Sequence, residues 1–419
     1  MPRIIDTVVY QHAENSCALW WQWHIARHQP HYSFNDIRAL EKQIDANLDG
    51  LLIAGDAALA ALQELLEARD EGACFSMAML LLRKGDHAGF MRLVDDCAAQ
   101  PCAAREELAV ALAWIHEHMA RAAMAQLLEN PSAHHRQIAL SACLAHQTDP
   151  ENHLLKALSH DSAHVRAAAY RLAADLGNAA ALPHLSTQTP QDQEEHFEQA
   201  RAFLYLGNRR HGMDLLESIA LSDSSMASAA TRLLLLSTEP HRARSVLRQL
   251  HTRIHRQRDV VQGLGFLGDP RAINWLIERC NHTSLARLAG ESIALITGVN
   301  LAESNLELYD IPDDVDDALN DDPDDIHVKL SEDENLTWPD AERITTWWHA
   351  CSTSLAPRKR HLCGLQRSRS SLQSILVQGW QRQRTVAADL LMINQENSRY
   401  CNTTLPTERQ LAFMTSTDR

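Results

Sequence analysis

Aromatic residues make up only 5% of this 419-residue sequence, and its 15 glycines and 14 prolines are scattered. No segment sustains the apolar–polar alternation of a half-buried strand, and the composition favours a stack of helical repeats. Long apolar runs are missing too. None approaches the ~20 residues that cross a bilayer, and Asp6 and Glu14 interrupt the region where a signal peptide would be apolar. The expectation is a cytoplasmic protein with no membrane partner. The nine cysteines, spread from Cys17 to Cys401, include no C-x-x-C pair, which suits a reducing compartment where buried thiols act as small apolar groups. No disulfide is expected.

Motifs for bond chemistry are equally scarce. There is no nucleophile elbow, phosphate-cradling glycine loop or dinucleotide fingerprint, so no catalytic residue, cofactor or cofactor-binding residue is assigned. Among the 23 histidines, His24 with His28 and His251 with His255 stand at i, i+4, where two imidazoles on one helix face can share a metal. Neither pair has the Glu of an H-E-x-x-H motif or a clustered cysteine, so both read as packed or solvated side chains and no metal ligand is assigned. His116 and His118, two apart on a helix, are expected to point away from each other.

What the sequence does have is alanine, leucine and an uneven charge. Between Glu303 and Glu342 lie sixteen Asp or Glu against the single Lys329, a net of −15 that equals the formal charge of the whole chain. From Arg343 to Arg419, eleven Lys or Arg face four acids. No basic stripe of the kind that tracks phosphate runs through the first 300 residues, which argues against nucleic acid as a partner. The acidic run lacks the Asp-x-Asp-x-Asp-Gly order of a calcium loop. It reads as a solvated loop too acidic and proline-punctuated to pack, part of it folding back onto Arg358, Lys359 and Arg360.

Self-similarity near a thirty-residue period organises the rest. Ser132-Ala133-His134-His135-Arg136 recurs as Ser162-Ala163-His164-Val165-Arg166, and Leu176-Gly177-Asn178 returns as Leu206-Gly207-Asn208 and, one residue late, as Leu267-Gly268-Asp269. Within one unit, Asp161 or Ser162 can cap a helix whose apolar face runs Val165, Ala168, Ala169, Leu172, Leu176, and Gly177 supplies a left-handed stop. Ala180 to Leu185 begins the paired helix. Asp269 to Ile277 and Ala286 to Ala294, ending at Gly298, repeat the scheme. Arg166 and Arg287, early in their helices, are expected to bond an aspartate or carbonyl of a neighbouring turn.

The ends do not repeat. Val8 to His28 reads as one helix stopped by Pro30, and Ser33 caps a second with a stripe of Ile37, Leu40, Ile44 and Leu48 that ends at Asp49-Gly50. Trp20, Trp21 and Trp23 cannot all face one core. Either two pack and one is partly exposed, or they anchor a partner. Further helices are expected over Ala341 to Cys351, with Ile344, Trp347 and Trp348 as stripe, and over Leu372 to Met392.

The Asp-x-x-x-Val-Arg core at Asp161 to Arg166 and the Leu-Gly-Asp-Pro-Arg-Ala string at Leu267 to Ala272 resemble HEAT repeats, in particular the short variety found in phycobilisome-lyase-like proteins. The resemblance implies an all-α fold, an α-solenoid of HEAT-like helical hairpins with an acidic loop insertion and helical caps. Its expected parts are a helical cap over 1–50, the repeat solenoid over 51–300, the acidic insertion over 301–340 and a helical cap over 341–419. Gln11-His12-Ala13-Glu14, Leu19-Trp20, Pro30-His31-Tyr32, Asn47 to Leu51, Ala289-Gly290-Glu291, Leu295 to Val299 and Trp338-Pro339 resemble an uncharacterised bacterial HEAT-repeat family associated with type VI secretion gene clusters. That resemblance implies a non-enzymatic adaptor or immunity protein for a secreted effector. The different-class alternative is a lyase-like HEAT protein acting on a tetrapyrrole. The residues expected to meet a protein partner, a basic effector or toxin, are Trp20, Trp21 and Trp23 with the acidic string Asp313, Asp314, Asp316, Asp317, Asp321, Asp322, Asp324 and Asp325, whose carboxylates would replace phosphate in a cationic groove.

Overall fold

A computed structural model describes residues 4–99, 104–309, 333–394 and 398–416. The chain is all-α, a repeat of antiparallel helical hairpins, and it divides into two compact units: Met1–His28, Tyr32–Gly212 and Gln395–Arg419 form unit 1, while Gln29–His31 and Met213–Asn394 form unit 2. The segment 341–419, grouped as one cap from sequence, is therefore shared between them.

Unit 1 begins with the hairpin α1 (Asp6–Ala26) and α2 (Phe34–Ala54) and continues with α3 (Asp56–Glu67), α4 (Glu71–Lys84), α5 (His87–Ala98) and α6 (Arg105–Trp114). There follow α7 (Glu117–Glu129), α8 (Ala133–His146), α9 (Asn152–Ala157), α10 (Ala163–Leu176), α11 (Leu182–Thr187) and α12 (Gln193–Tyr205), and the division between units falls within α13 (Arg209–Ala220). In unit 2, α14 (Ala227–Ser237), α15 (Pro240–His251), α16 (Gln257–Leu267), α17 (Ile273–Arg279), α18 (Thr283–Thr297) and α19 (Ala341–Cys351) precede a two-residue hairpin, β1 (His361–Leu362) with β2 (Leu365–Gln366), paired antiparallel. The remaining helices are α20 (Arg369–Gln378), α21 (Gln381–Asn394) and, back in unit 1, α22 (Thr407–Ser416).

The thirty-residue period is the spacing of one row of helices. In unit 1 that row is α4, α6, α8, α10 and α12, each packed on the next, with α8, α10 and α12 starting at Ala133, Ala163 and Gln193. In unit 2 the row is α14, α16 and α18. Small side chains permit the close approach: Ala167, Ala169, Ala173 and Ala174 are all buried on α10 beside Val165 and Leu172. Gly177 and Gly298 end their helices in the left-handed region, φ 67° and 77°, as expected. No hairpin could bury its apolar face alone, so neighbour stacking supplies the core.

The chain beyond α19 runs back across the helix ends. In unit 2, His361 N–H donates to the Gly268 carbonyl (2.8 Å) and Cys363 N–H to Leu295 (2.8 Å), while the Arg360 guanidinium reaches the carbonyls of Leu267 (3.0 Å), Thr238 (3.0 Å) and Leu235. Arg367 adds a bond to Phe266 O (2.6 Å). In unit 1, Tyr400 N–H meets Asp175 O (2.8 Å), Arg399 meets Gln147 O (3.4 Å) and Arg409 meets Ile115 O (3.1 Å). These are carbonyls that helix C-termini leave without partners, and the partial negative charge there favours guanidinium. Burial still pulls the Arg360 guanidinium down to about 10. Arg360, Arg367, Arg399 and Arg409 thus serve helix ends, while Arg343 pairs with Asp340 at the end of the acidic stretch (3.1 Å).

Other expectations are corrected locally. α2 passes through Gly50 to Ala54, because a Cβ at Gly50 would lie 2.9 Å from the His12 ring; that glycine marks a close approach, and Gly55 (φ 65°) is the stop. The single helix expected over 372–392 breaks at Gly379 into α20 and α21. Neither Asp161 nor Ser162 caps α10 with its side chain: the Ser162 N–H goes to His160 Nδ1 (3.0 Å), and the Asp161 carbonyl accepts from Arg166 (2.9 Å). His116 precedes α7 in extended conformation, so its ring stacks on His118 at 5.8 Å instead of pointing away. The flanks of the acidic run do pack: Leu306 and Asp333 are buried, Leu308 N–H bonds Trp338 O (2.9 Å), and Asp333 forms a two-point ion pair with Arg258 (2.6 and 2.9 Å). Asp313, Asp314, Asp316, Asp317, Asp321, Asp322, Asp324 and Asp325 lie outside the described residues.

Candidate protein-binding surfaces

On α1 the three tryptophans take different environments. Trp20 and Trp23 are fully buried, and Trp21 is 47% exposed. Helical geometry sets Trp20 and Trp23 three apart on the inward face and turns Trp21 about 100° away. Trp20 stacks on Phe75 (5.9 Å), and Trp23 meets Trp114 edge-on (5.1 Å), so α4 and α6 select which rings are buried. Trp23 Nε1 donates to Glu41 (3.0 Å), and the Arg27 guanidinium covers its face at 4.6 Å. Trp21 stacks on His24 (5.5 Å, 9° between planes), is tilted against Trp20 (6.3 Å) and stays half-exposed, with exposed Ile25 one turn on. His28, four residues on from His24, is held down at about 4 by burial, then by the Arg27 charge.

The other end of this hairpin is apolar as well. His12 Nδ1 bonds Asn47 (3.0 Å), bringing the start of α1 beside the end of α2. There Ile5, Val8 and Ile53 are exposed, Ile53 at 79%.

Glu41 of α2 links this hairpin to the C-terminal segment. Its carboxylate accepts from Thr407 N (2.9 Å) and lies against the Thr407 hydroxyl, so it caps α22. Burial pushes the Glu41 carboxyl up to about 7 against the opposing pull of these hydrogen bonds.

Between α10 and α12 runs a buried charge ladder. Arg166 pairs with Glu195 (2.5 and 2.8 Å) and with the His160 and Asp161 carbonyls, the structural role expected of it. Further along, Arg201 joins Asp175 to Glu198 (3.2 Å to the latter), and Arg171 pairs with Glu198 at 2.6 Å. Tyr205 and Tyr400 lie 4.7 and 5.1 Å from the Arg201 guanidinium. Burial raises Asp175 to about 6 despite Arg201. Each carboxylate of the ladder faces a guanidinium from the neighbouring helix or its own, which makes this a register device between repeats. Arg287 behaves differently, reaching the Glu334 carbonyl (2.8 Å) and lying 4.5 Å over Trp338, so it anchors the segment after the acidic run.

His251 and His255 do not converge: His251 bonds Gln257 (3.1 Å), while His255 faces Asp223 (3.5 Å). Among the described residues no group of three or more His, Cys, Asp or Glu is placed to hold a metal ion, and no helix is long and apolar enough to cross a membrane. No family model, curated protein or solved structure matches the chain.

Proposed function

We propose that this chain is a non-enzymatic protein-interaction scaffold, an adaptor or immunity-type binder of a basic type VI secretion effector. The observation that carries the reading is the first hairpin, which leaves Trp21, Ile25, Ile5, Val8 and Ile53 in solvent while its own core is filled by Trp20 and Trp23. A half-exposed tryptophan already stacked on one face is a low-entropy anchor for a partner's apolar pocket. The effector class comes from the resemblance of segments such as Asn47 to Leu51 and Leu295 to Val299.

The test is rescue of a sensitive host from the effector by the wild-type chain, set beside Trp21→Ala/Ile25→Ala. Exposed positions tolerate the change, so unchanged thermal unfolding should accompany loss of rescue and of co-purification with the effector. Rescue and co-purification indifferent to the double variant would overturn the assignment of this surface.

A further inference from the structure

Within unit 2, α15, α16 and α17 border a groove of about 440 Å³ that opens to solvent. Its floor is aliphatic, formed by Leu247 from α15 and by Val260 and Leu264 from α16. Along one rim α15 places His241, Arg244, Arg248 and His251. Steps of three, four and three residues set these groups on one helix face, in a row about 15 Å long.

The row is incompletely neutralised. Arg244 shares Asp269 (3.2 Å) with Arg271, which holds the same carboxylate more closely (2.5 Å). Arg248 is exposed and has no carboxylate partner among the described residues. Trp275, on the far wall, has Arg279 over its face at 4.6 Å and the His251 ring edge-on at 5.9 Å.

We propose that this groove binds an acidic amphipathic segment of a protein partner, with aliphatic side chains on the Leu247, Val260 and Leu264 floor and carboxylates along the α15 rim. Three features select that occupant. Guanidiniums and imidazoles strung over a helix face match carboxylates distributed along a chain, whereas a single anionic headgroup calls for converging donors. An aliphatic floor rewards burial of leucine-like side chains. Base stacking, the sequence-tolerant hold on single-stranded nucleic acid, needs open aromatic faces, and Trp275 is already covered by Arg279. The groove is distinct from the α1 surface, so either assignment can fail without the other.

The probe is a fluorescein-labelled synthetic helix of about 15 residues, with leucine at i, i+3 and i+7 and glutamate flanking, titrated with the full chain and read by anisotropy. Its Gln-for-Glu counterpart and an oligothymidylate of about 12 nucleotides are the comparisons. The Glu peptide should bind, more weakly as salt rises, and Arg248→Glu and Leu264→Gln should each weaken it about tenfold with helix content unchanged. Equal binding of Glu and Gln peptides, or indifference to Arg248→Glu, would overturn the proposal. Oligothymidylate binding abolished by Arg248→Glu would reassign the surface to nucleic acid. Peptide binding that emerges only after the eight aspartates from Asp313 to Asp325 are changed to Asn would assign the groove to the chain's own acidic run, and with that the external partner is rejected.

Discussion

Glu41 offers a test with an internal control. The residue is 6% exposed, and Trp23 N–H, Thr407 N–H and the Thr407 hydroxyl all address its carboxylate. Because burial raises it from 4.5 to about 7, ionising it in the folded chain costs about 3 kcal/mol more than in the unfolded chain. The folded value lies above the unfolded one, so the stability that goes with the protonated carboxyl is fully present below about pH 4.5 and is lost as pH rises through about 7, where the ionisation cost applies in full. Glu41→Gln keeps the geometry: the amide oxygen accepts the two N–H groups and the amide nitrogen donates to the Thr407 hydroxyl. It should be nearly neutral at pH 5 and stabilising by up to about 3 kcal/mol at pH 8. Glu41→Ala leaves two buried N–H groups without partners, at about 1–3 kcal/mol each, and its penalty should be larger at pH 5 than at pH 8. Urea unfolding at the two pH values gives the free energies, and amide exchange over Thr407–Ser416 reports release of α22. Parallel pH profiles for wild type and Glu41→Gln would refute the reasoning.

Further outcomes follow from the same contacts. Leu172→Ala, fully buried in α10, should cost about 2–5 kcal/mol and broaden the melting curve, since coupling in a repeat protein is between neighbours. Arg201→Met strands Asp175 and reduces the pairing of Glu198, so unfolding should register a loss of about 3–5 kcal/mol that grows as pH rises past about 6, where Asp175 ionises. Gly85→Ala meets only backbone strain at φ 73° and should lower stability by about 1 kcal/mol. Gly298→Ala should cost clearly more by the same thermal assay, because its Cβ would lie 2.6 Å from the Cys363 carbonyl oxygen.

The repeat was legible because its determinants are local: helical spacing of Val165, Ala169 and Leu172, and a left-handed glycine closing each helix. Glycine was also where reading failed. Gly50 looks like a stop in sequence, yet it is small to admit a ring 38 positions away. The return of the chain across the helix ends leaves no periodic trace, since Arg360 finds its carbonyl at Leu235 only after folding. Of the three tryptophans, sequence spacing established that they must separate, but Phe75 and Trp114 decide which are buried. The α15 rim had a readable signal in the helical spacing of His241, Arg244, Arg248 and His251. Its aliphatic floor did not, because separate helices assemble it.

The central claim is that the first hairpin engages a protein. Affinity capture of the tagged full chain from its source cell, side by side with Trp21→Ala/Ile25→Ala, measures this most directly. The account predicts one stoichiometric protein bound to the wild type, carrying a cationic surface, and lost from a double variant that melts normally. A chain that captures no stoichiometric protein, or captures the same one equally well without Trp21 and Ile25, would contradict it.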